Sequence, residues 1–270
     1  MRHWTLDDIN WDRFDPAKVD PDLLCAVKAA AMVEGNGGDY GIYLARVFHD
    51  DPLFRQAAQD WSKEEIQHGE ALGRWAMLAD PSFSYAASFK CFTDGYKIPL
   101  EAERSVRGSR AGELVARCIV ETGTSTYYTA LMEATEEPVL KEICRHIAAD
   151  EFRHYKLFYS HLKRYLEQEH LGLWGRIRIV LTRLGESEDD ELAYAYYAAN
   201  HPGERYQRKR FSRAYARRVY PVYRRGHVER AIAMVLKAAG LHPTGRLNRL
   251  ISKIAFWFLR SRVRRLGAAG

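Results

Sequence analysis

The amino-acid sequence predicts an all-α protein built around two antiparallel helical hairpins. Long segments repeat apolar residues at helical spacing, and no segment alternates apolar and polar residues long enough to predict a strand. Cap and proline signals mark the helix ends: Asp20-Pro21 and Asp51-Pro52 each begin a helix, and Asp80-Pro81 ends one. The hydrophobic fraction of 47% is sufficient for a substantial core.

The two predicted hairpins cover residues 21–78 and 106–167, and each has a short turn that makes its helices antiparallel neighbours. The second helix of the second hairpin is predicted to begin at Pro138. The other predicted elements are helices over 82–92, 171–184 and 246–266, an acidic turn over 185–191, and an Arg- and Tyr-rich segment over 204–230 with breaks at Pro221 and Gly226.

Charge separates the C-terminal part of the chain from the rest. Residues 201–270 contain 18 Lys and Arg against 2 Asp and Glu, whereas residues 1–200 contain 23 against 33. We therefore predict a helical domain over 1–170 and a basic helical extension over 171–270, packed on or beside it.

Two predicted helices carry the same Glu-x-x-His motif. It comprises Glu65 and His68 in the first hairpin, and Glu151 and His154 in the second. Residues three apart lie on one face of a helix, so each motif presents a carboxylate and an imidazole together. A single such pair is commonly a solvated face. Two of them, each 30 or 31 residues after another helical Glu, are a specific signal.

Those upstream carboxylates are Glu34 and Glu121. Glu34 and Glu65 lie 16 and 15 residues from the turn between their helices, which is roughly 23 Å at ~1.5 Å per residue. They therefore face each other at one height, and Glu121 and Glu151 do the same in the second hairpin. Packing the hairpins together brings four carboxylates and two imidazoles to one level, a recurrent dimetal arrangement.

The neighbours of these glutamates are mostly apolar, and four buried carboxylates without cations would repel one another and be poorly solvated. Oxygen and imidazole ligands suit iron or manganese better than metals that prefer thiolate. The sequence thus predicts two metal ions, iron or alternatively manganese, with the ligands Glu34, Glu65, His68, Glu121, Glu151 and His154.

At these motifs the sequence resembles the soluble acyl-acyl-carrier-protein desaturases of the ferritin-like superfamily. Residues 61–69 and 147–154 are similar to that family's W-x-x-E-E-x-x-H-G and I-A-A-D-E-x-R-H segments, and Glu121-Thr-Gly-Thr124 is similar to its E-x-x-T pattern. The resemblance covers about residues 21–167. It implies a ferritin-like four-helix bundle that holds two iron ions in the six-ligand site.

The resemblance also implies roles for other residues. Thr124 would place a hydroxyl beside the oxygen-binding face, with a hydrogen bond to its own helix backbone as the alternative. Asp150 would hold a ligand imidazole, and Trp61 and Arg153 would support the site.

Four glycines follow Glu34, at 35, 37, 38 and 41, and each costs helix stability. They predict either a close approach of substrate to the backbone or a local bulge that turns Glu34 inward.

The implied function is that of an O2-activating di-iron oxidoreductase, a desaturase or hydroxylase of an apolar, acyl-chain-like substrate. Electrons would come from a separate donor such as a ferredoxin, because no GxGxxG fingerprint follows a predicted strand. An N-oxygenase and a ferritin-like iron- or peroxide-handling protein share this metal site as alternatives. An apolar channel reaching the metals would distinguish an oxygenase from a peroxide scavenger, and an intact ligand set disfavours a pure scaffold.

The last predicted helix combines an apolar stripe with basic residues. The basic extension could be a solvated cover, a docking surface for an acidic protein such as an acyl carrier or ferredoxin, or a surface for anionic membranes. Nucleic acid is disfavoured because no nucleic-acid-binding module is recognised, and a homodimer stays open. With neither a signal peptide nor a spanning apolar run, we predict a cytoplasmic protein that is at most peripheral to the membrane.

Overall fold

The computed structural model describes residues 3–186 and 190–268. Within these ranges all regular secondary structure is helical and no strand occurs, which confirms the predicted all-α class. No helix in the same ranges has the length and apolar character needed to cross a membrane.

Two hairpins provide the long helices. The first consists of α1 (Pro21–Gly35), α2 (Gly37–Val47) and α3 (Pro52–Ala79), and the second of α5 (Arg110–Ala134) and α6 (Pro138–Glu169). The short helix α4 (Tyr85–Gly95) lies between them in the chain. The remaining helices are α7 (Leu173–Gly185), α8 (Asp190–Asn200), α9 (Arg208–Val219), α10 (Arg225–Ala239) and α11 (Arg246–Ala268), with a 3-10 turn at Tyr220–Val222.

Side-chain caps fix the starts of the hairpin helices. Asp20 accepts hydrogen bonds from the first free backbone N–H groups of α1, and Asp51 does so for α3. Glu137 is fully buried and caps α6, where it also accepts a 2.7 Å hydrogen bond from Trp75 Nε1 on α3. The cap of α6 therefore also ties the second hairpin to the first.

Two apolar clusters lie along the hairpins, one on each side of a polar layer. One cluster includes Trp75 of α3 and Ile143 of α6. The other includes Phe54 of α3 and Phe158 of α6. The two Glu-x-x-His motifs fall between these positions in sequence, so the polar layer has a dry core above and below it.

The helices after residue 170 pack closely on the hairpins. α8 and α9 contact α1, α7 and α10 contact α5, and α11 contacts α10 and α9. Both apolar clusters include residues of this part of the chain, such as Phe211 in one and Met234 in the other.

Several boundaries differ from prediction, among them the end of α4, which lies at Gly95 rather than 92. α4 begins at Tyr85 rather than 82, because Ser84 is its cap, and α5 begins at Arg110 rather than 106, because Ser109 caps it. Gly226 is not a break but lies in the first turn of α10, where a glycine costs little. Of the predicted acidic turn, residues 187–189 lie outside the described residues.

Candidate metal centre

The glycines after Glu34 allow two helix backbones to meet. The helix breaks at Asn36, so Glu34 lies in the last turn of α1 rather than in mid-helix as predicted. A Cβ atom on Gly37 would lie 2.2 Å from Glu65 Cβ, and one on Gly69 would lie 2.6 Å from the backbone nitrogen of Gly35. The close approach is thus made by α3, and it brings the first two predicted ligands side by side.

All six predicted metal ligands are buried and converge on one layer. They form two overlapping groups, and within each group one ligand atom per residue lies within 4.8 Å of the others. Half-site one consists of Glu34, Glu65, His68 and Glu151. Half-site two consists of Glu65, Glu121, Glu151 and His154.

The shared residues are the two glutamates of the motifs. In half-site one, His68 Nδ1 lies 3.2 Å from Glu151 Oε1 and 3.5 Å from Glu34 Oε2. In half-site two, His154 Nδ1 lies 3.0 Å from Glu65 Oε1. Each half-site therefore combines one imidazole, one carboxylate of its own and two shared carboxylates.

Every one of the six residues has a buried polar atom without a hydrogen-bond partner among the described residues. These atoms are Glu34 Oε2, Glu65 Oε1, His68 Nδ1, Glu121 Oε1, Glu151 Oε1 and His154 Nδ1. Buried polar groups without partners are costly and rare. Two metal ions would satisfy all six atoms, so these residues fit the predicted metals.

Electrostatics favour the same conclusion. Burial, with repulsion from Glu151 and Glu34, raises the pKa of Glu65 well above its usual value. Burial, with repulsion from Glu151, raises the pKa of Glu121 to about 8. Both shifts reflect the cost of crowding negative charge in a dry layer. Four carboxylates and two divalent cations would sum to zero charge.

Each imidazole of the two motifs is held by the acidic residue that precedes the glutamate of the opposite motif. His68 Nε2 donates to Asp150 Oδ2 at 3.1 Å, and His154 Nε2 donates to Glu64 Oε2 at 2.7 Å. A carboxylate bound to the outer nitrogen fixes the ring and leaves the inner nitrogen as a ligand. Asp150 thus contacts an imidazole of a motif, whereas the contact of Glu64 was not predicted.

Asp150 accepts further hydrogen bonds from the N-terminal segment. Trp4 Nε1 donates to Asp150 Oδ2 at 2.6 Å and His3 Nε2 lies 2.9 Å from the same oxygen. Arg153 donates to Asp150 at 2.6 Å and also bonds Glu64. Burial alone would raise the pKa of Asp150, but the hydrogen bond and charge of His68, the hydrogen bond from Trp4 and the Arg153 guanidinium together lower it.

Of the other predicted supporting residues, Trp61 packs its ring edge-to-face on His154, with the centroids 6.4 Å apart. Thr124 donates a hydrogen bond to Glu151 Oε2 and also lies 3.3 Å from its own helix carbonyls at Val120 and Glu121. Thr124 therefore contacts both the carboxylate layer and its own helix backbone, as the two alternatives for its role require.

An apolar cavity of about 290 Å³ ends against this layer. Glu34, Thr124 and Tyr128 lie on its inner wall, and the outer wall comes from the C-terminal helices, including Tyr215 and Tyr223. Tyr128 donates a 2.6 Å hydrogen bond to Glu34 Oε1. Sequence reasoning missed Tyr128, since nothing in its helix distinguishes it from a core residue.

No protein-family model matches this chain, and no curated protein matches it. The resemblance to the desaturases therefore stays a prediction. The functional assignment depends on the geometry of the six residues and the adjoining cavity.

Proposed function

We propose that the two hairpins form a ferritin-like four-helix bundle that binds two iron ions and serves as an O2-activating oxidoreductase. The convergence of six buried, unsatisfied ligand atoms, one from each predicted ligand, carries this proposal. Manganese is the alternative metal, because it accepts the same oxygen and imidazole ligands.

Each ligand has a role that follows from its position. Glu65 and Glu151 belong to both half-sites, so each would help to hold both ions. The two imidazoles would bind through Nδ1, because their Nε2 atoms are occupied by Asp150 and Glu64. Bound iron would supply the oxidising chemistry with O2 and external electrons.

The cavity favours a function that uses an organic substrate. Apolar and aromatic side chains line most of it, and its inner end is the wall that carries Glu34 and Thr124. The substrate we infer is apolar and acyl-chain-like, with its reacting group near the Thr124 hydroxyl. That hydroxyl holds the shared carboxylate Glu151 and is a polar contact between the cavity and the site. A ferredoxin-type protein is the proposed electron donor.

Iron or peroxide handling is the second candidate, because it uses the same six ligands. It has no need for an apolar cavity of this size, so the cavity favours an oxygenase. An N-oxygenase would share both the site and the cavity. Product analysis distinguishes N-oxidation from C–H oxidation.

The first test is metal analysis of protein purified under iron supplementation. We expect about two irons per chain, and we expect Glu151→Ala to lose both. Glu167→Ala is the matched control, because Glu167 is an exposed residue on the same helix. Zinc alone, or no metal, would contradict the proposal.

The second test separates an oxygenase from a peroxide scavenger. Gly123 lines the cavity, and a Cβ there would meet no atom within 4 Å, so Gly123→Leu would fill space without moving the bundle. We expect this variant to keep its iron but to lose O2 uptake stimulated by a panel of fatty acids. Gly203→Leu is the control at an open surface position. If O2 uptake is the same with and without fatty acids, and the same in Gly123→Leu, the result favours a peroxide scavenger.

A further inference from the structure

The helix α11 turns an apolar face away from the protein. Five large apolar side chains on it are between 45% and 62% exposed: Leu247, Leu250, Ile254, Trp257 and Phe258. At 3.6 residues per turn these positions fall within roughly 100° of the helix circumference. They therefore form one continuous strip, which we call the α11 apolar face.

The face that α11 packs on the protein carries half-buried apolar residues, such as Phe256, Leu259 and Val263, but none of them is fully buried. Its buried residues are Asn248 and Ser252. Asn248 Nδ2 donates to the carbonyl of Pro243 at 2.8 Å, and Ser252 donates to Asn248. A surface helix of a globular protein normally exposes a polar face opposite its packed face, whereas α11 exposes a second apolar strip. Contiguous exposed apolar surface of this kind marks an interaction site.

Basic residues border the α11 apolar face. The helix contains seven Lys or Arg and no Asp or Glu. Six of the seven are exposed, and Arg265 lies at the C-terminal end of the helix. The other five occupy adjoining helical positions on one side of the strip, namely Arg246, Arg249, Lys253, Arg260 and Arg264. The surface thus combines Trp, Phe, Leu and Ile with a row of positive charge, the composition of helices that lie in a lipid interface.

We propose that α11 docks on an anionic lipid bilayer, with its axis in the membrane plane. A bilayer accepts both parts of the surface, since its acyl boundary takes the apolar face and its headgroups take the basic border. A second copy of this helix would place seven positive charges against seven. An acidic protein partner would match the charge but would also need an apolar groove for Trp257 and its neighbours.

The docked helix adjoins the wall of the cavity. Arg262 of α11 lies over the ring of Tyr220, with its guanidinium carbon 5.5 Å from the centroid, and Tyr220 lines the cavity. Docking would therefore hold the outer wall of the cavity near the lipid, where an apolar substrate is concentrated. This delivery of substrate depends on the proposed function, whereas the docking does not.

The test is cosedimentation of the full chain with phosphatidylcholine vesicles, with and without phosphatidylglycerol. We expect binding to the anionic vesicles that is at least about tenfold stronger than to the neutral ones and that weakens as salt rises. Leu250→Ser should weaken it roughly tenfold. Leu53→Ser is the matched control, since Leu53 is 67% exposed on α3 and should leave binding unchanged.

A charge variant, Arg249→Glu with Lys253→Glu, should remove the preference for phosphatidylglycerol. No binding to anionic vesicles, or an equal loss with Leu53→Ser, would overturn the proposal. A dimer of the unaltered protein in solution that Leu250→Ser abolishes would also overturn the proposal, because the α11 apolar face would then join two copies of the chain. Iron content, measured on the same preparations, reports on the metal proposal separately, because α11 contributes no ligand.

Discussion

The two half-sites contain the same ligand types but differ in how they are enclosed. In half-site one, His68 is fully buried, and its partner Asp150 is buried beneath Trp4 and His3. In half-site two, His154 is held by Glu64, whose side chain is 25% exposed. Equal motifs thus give unequal environments, because Trp4 covers Asp150, whereas Glu64 has only His3 of the N-terminal segment near it, at 3.5 Å, and stays partly exposed. We expect the ion of half-site one to be held more tightly.

The strongest test of this comparison removes a shared ligand. Glu65→Ala should reduce the metal content from about two ions per chain to none, because both half-sites lose a carboxylate. Elemental analysis measures the number of metal ions per chain directly. Glu70→Ala, at an exposed position on the same helix, should keep both ions. A Glu65→Ala protein with full metal content would rule out sharing.

Removing one imidazole should separate the half-sites. His68→Ala and His154→Ala should each retain about one ion per chain, since each histidine belongs to one half-site. Iron titration of the two variants compares the ion that remains. The enclosed half-site one, intact in His154→Ala, should bind more tightly, and equal affinities would show that enclosure has no effect.

The outer carboxylates should have smaller effects of unequal size. Asp150→Asn should weaken metal binding about 10- to 100-fold, as is usual when the partner of a ligand imidazole is lost. Glu64→Gln should weaken it by at most about tenfold, because water can replace an exposed carboxylate. Competition with a chelator ranks the two variants, and the reverse order would contradict the comparison.

Thr124→Val should also have a small effect on metal binding. One hydrogen bond to the Glu151 carboxylate contributes about 1.5 kcal/mol, so affinity should fall by about tenfold. Substrate-dependent O2 uptake should fall more, and Thr124→Ser should restore it. Uptake that is unchanged in Thr124→Val would assign this hydroxyl to its helix backbone alone.

The convergence of the six residues was predictable because their positions depend on local geometry. Equal distances from a turn put Glu34 level with Glu65, and the structure brings them together even though α1 breaks at Asn36. The glycines after Glu34 indicated that the first helix is irregular there, but local sequence could not show which helix packs against them. That approach is a tertiary contact with α3.

Residues outside the ligand set were harder to predict. Glu64 occupies the same motif position as Asp150, and that equivalence was the available signal for its contact with His154. Tyr128 and Trp4 lack any such signal, because their partners come from distant segments. The outer wall of the cavity comes from helices whose composition indicated only a basic extension.

We propose above all that two metal ions share Glu65 and Glu151 in one buried layer. Anomalous diffraction from iron-loaded crystals tests it most directly. We predict two peaks per chain, each within bonding distance of both shared carboxylates and of one histidine Nδ1, that of His68 or His154. A single peak, or peaks outside the six ligands, would contradict the claim.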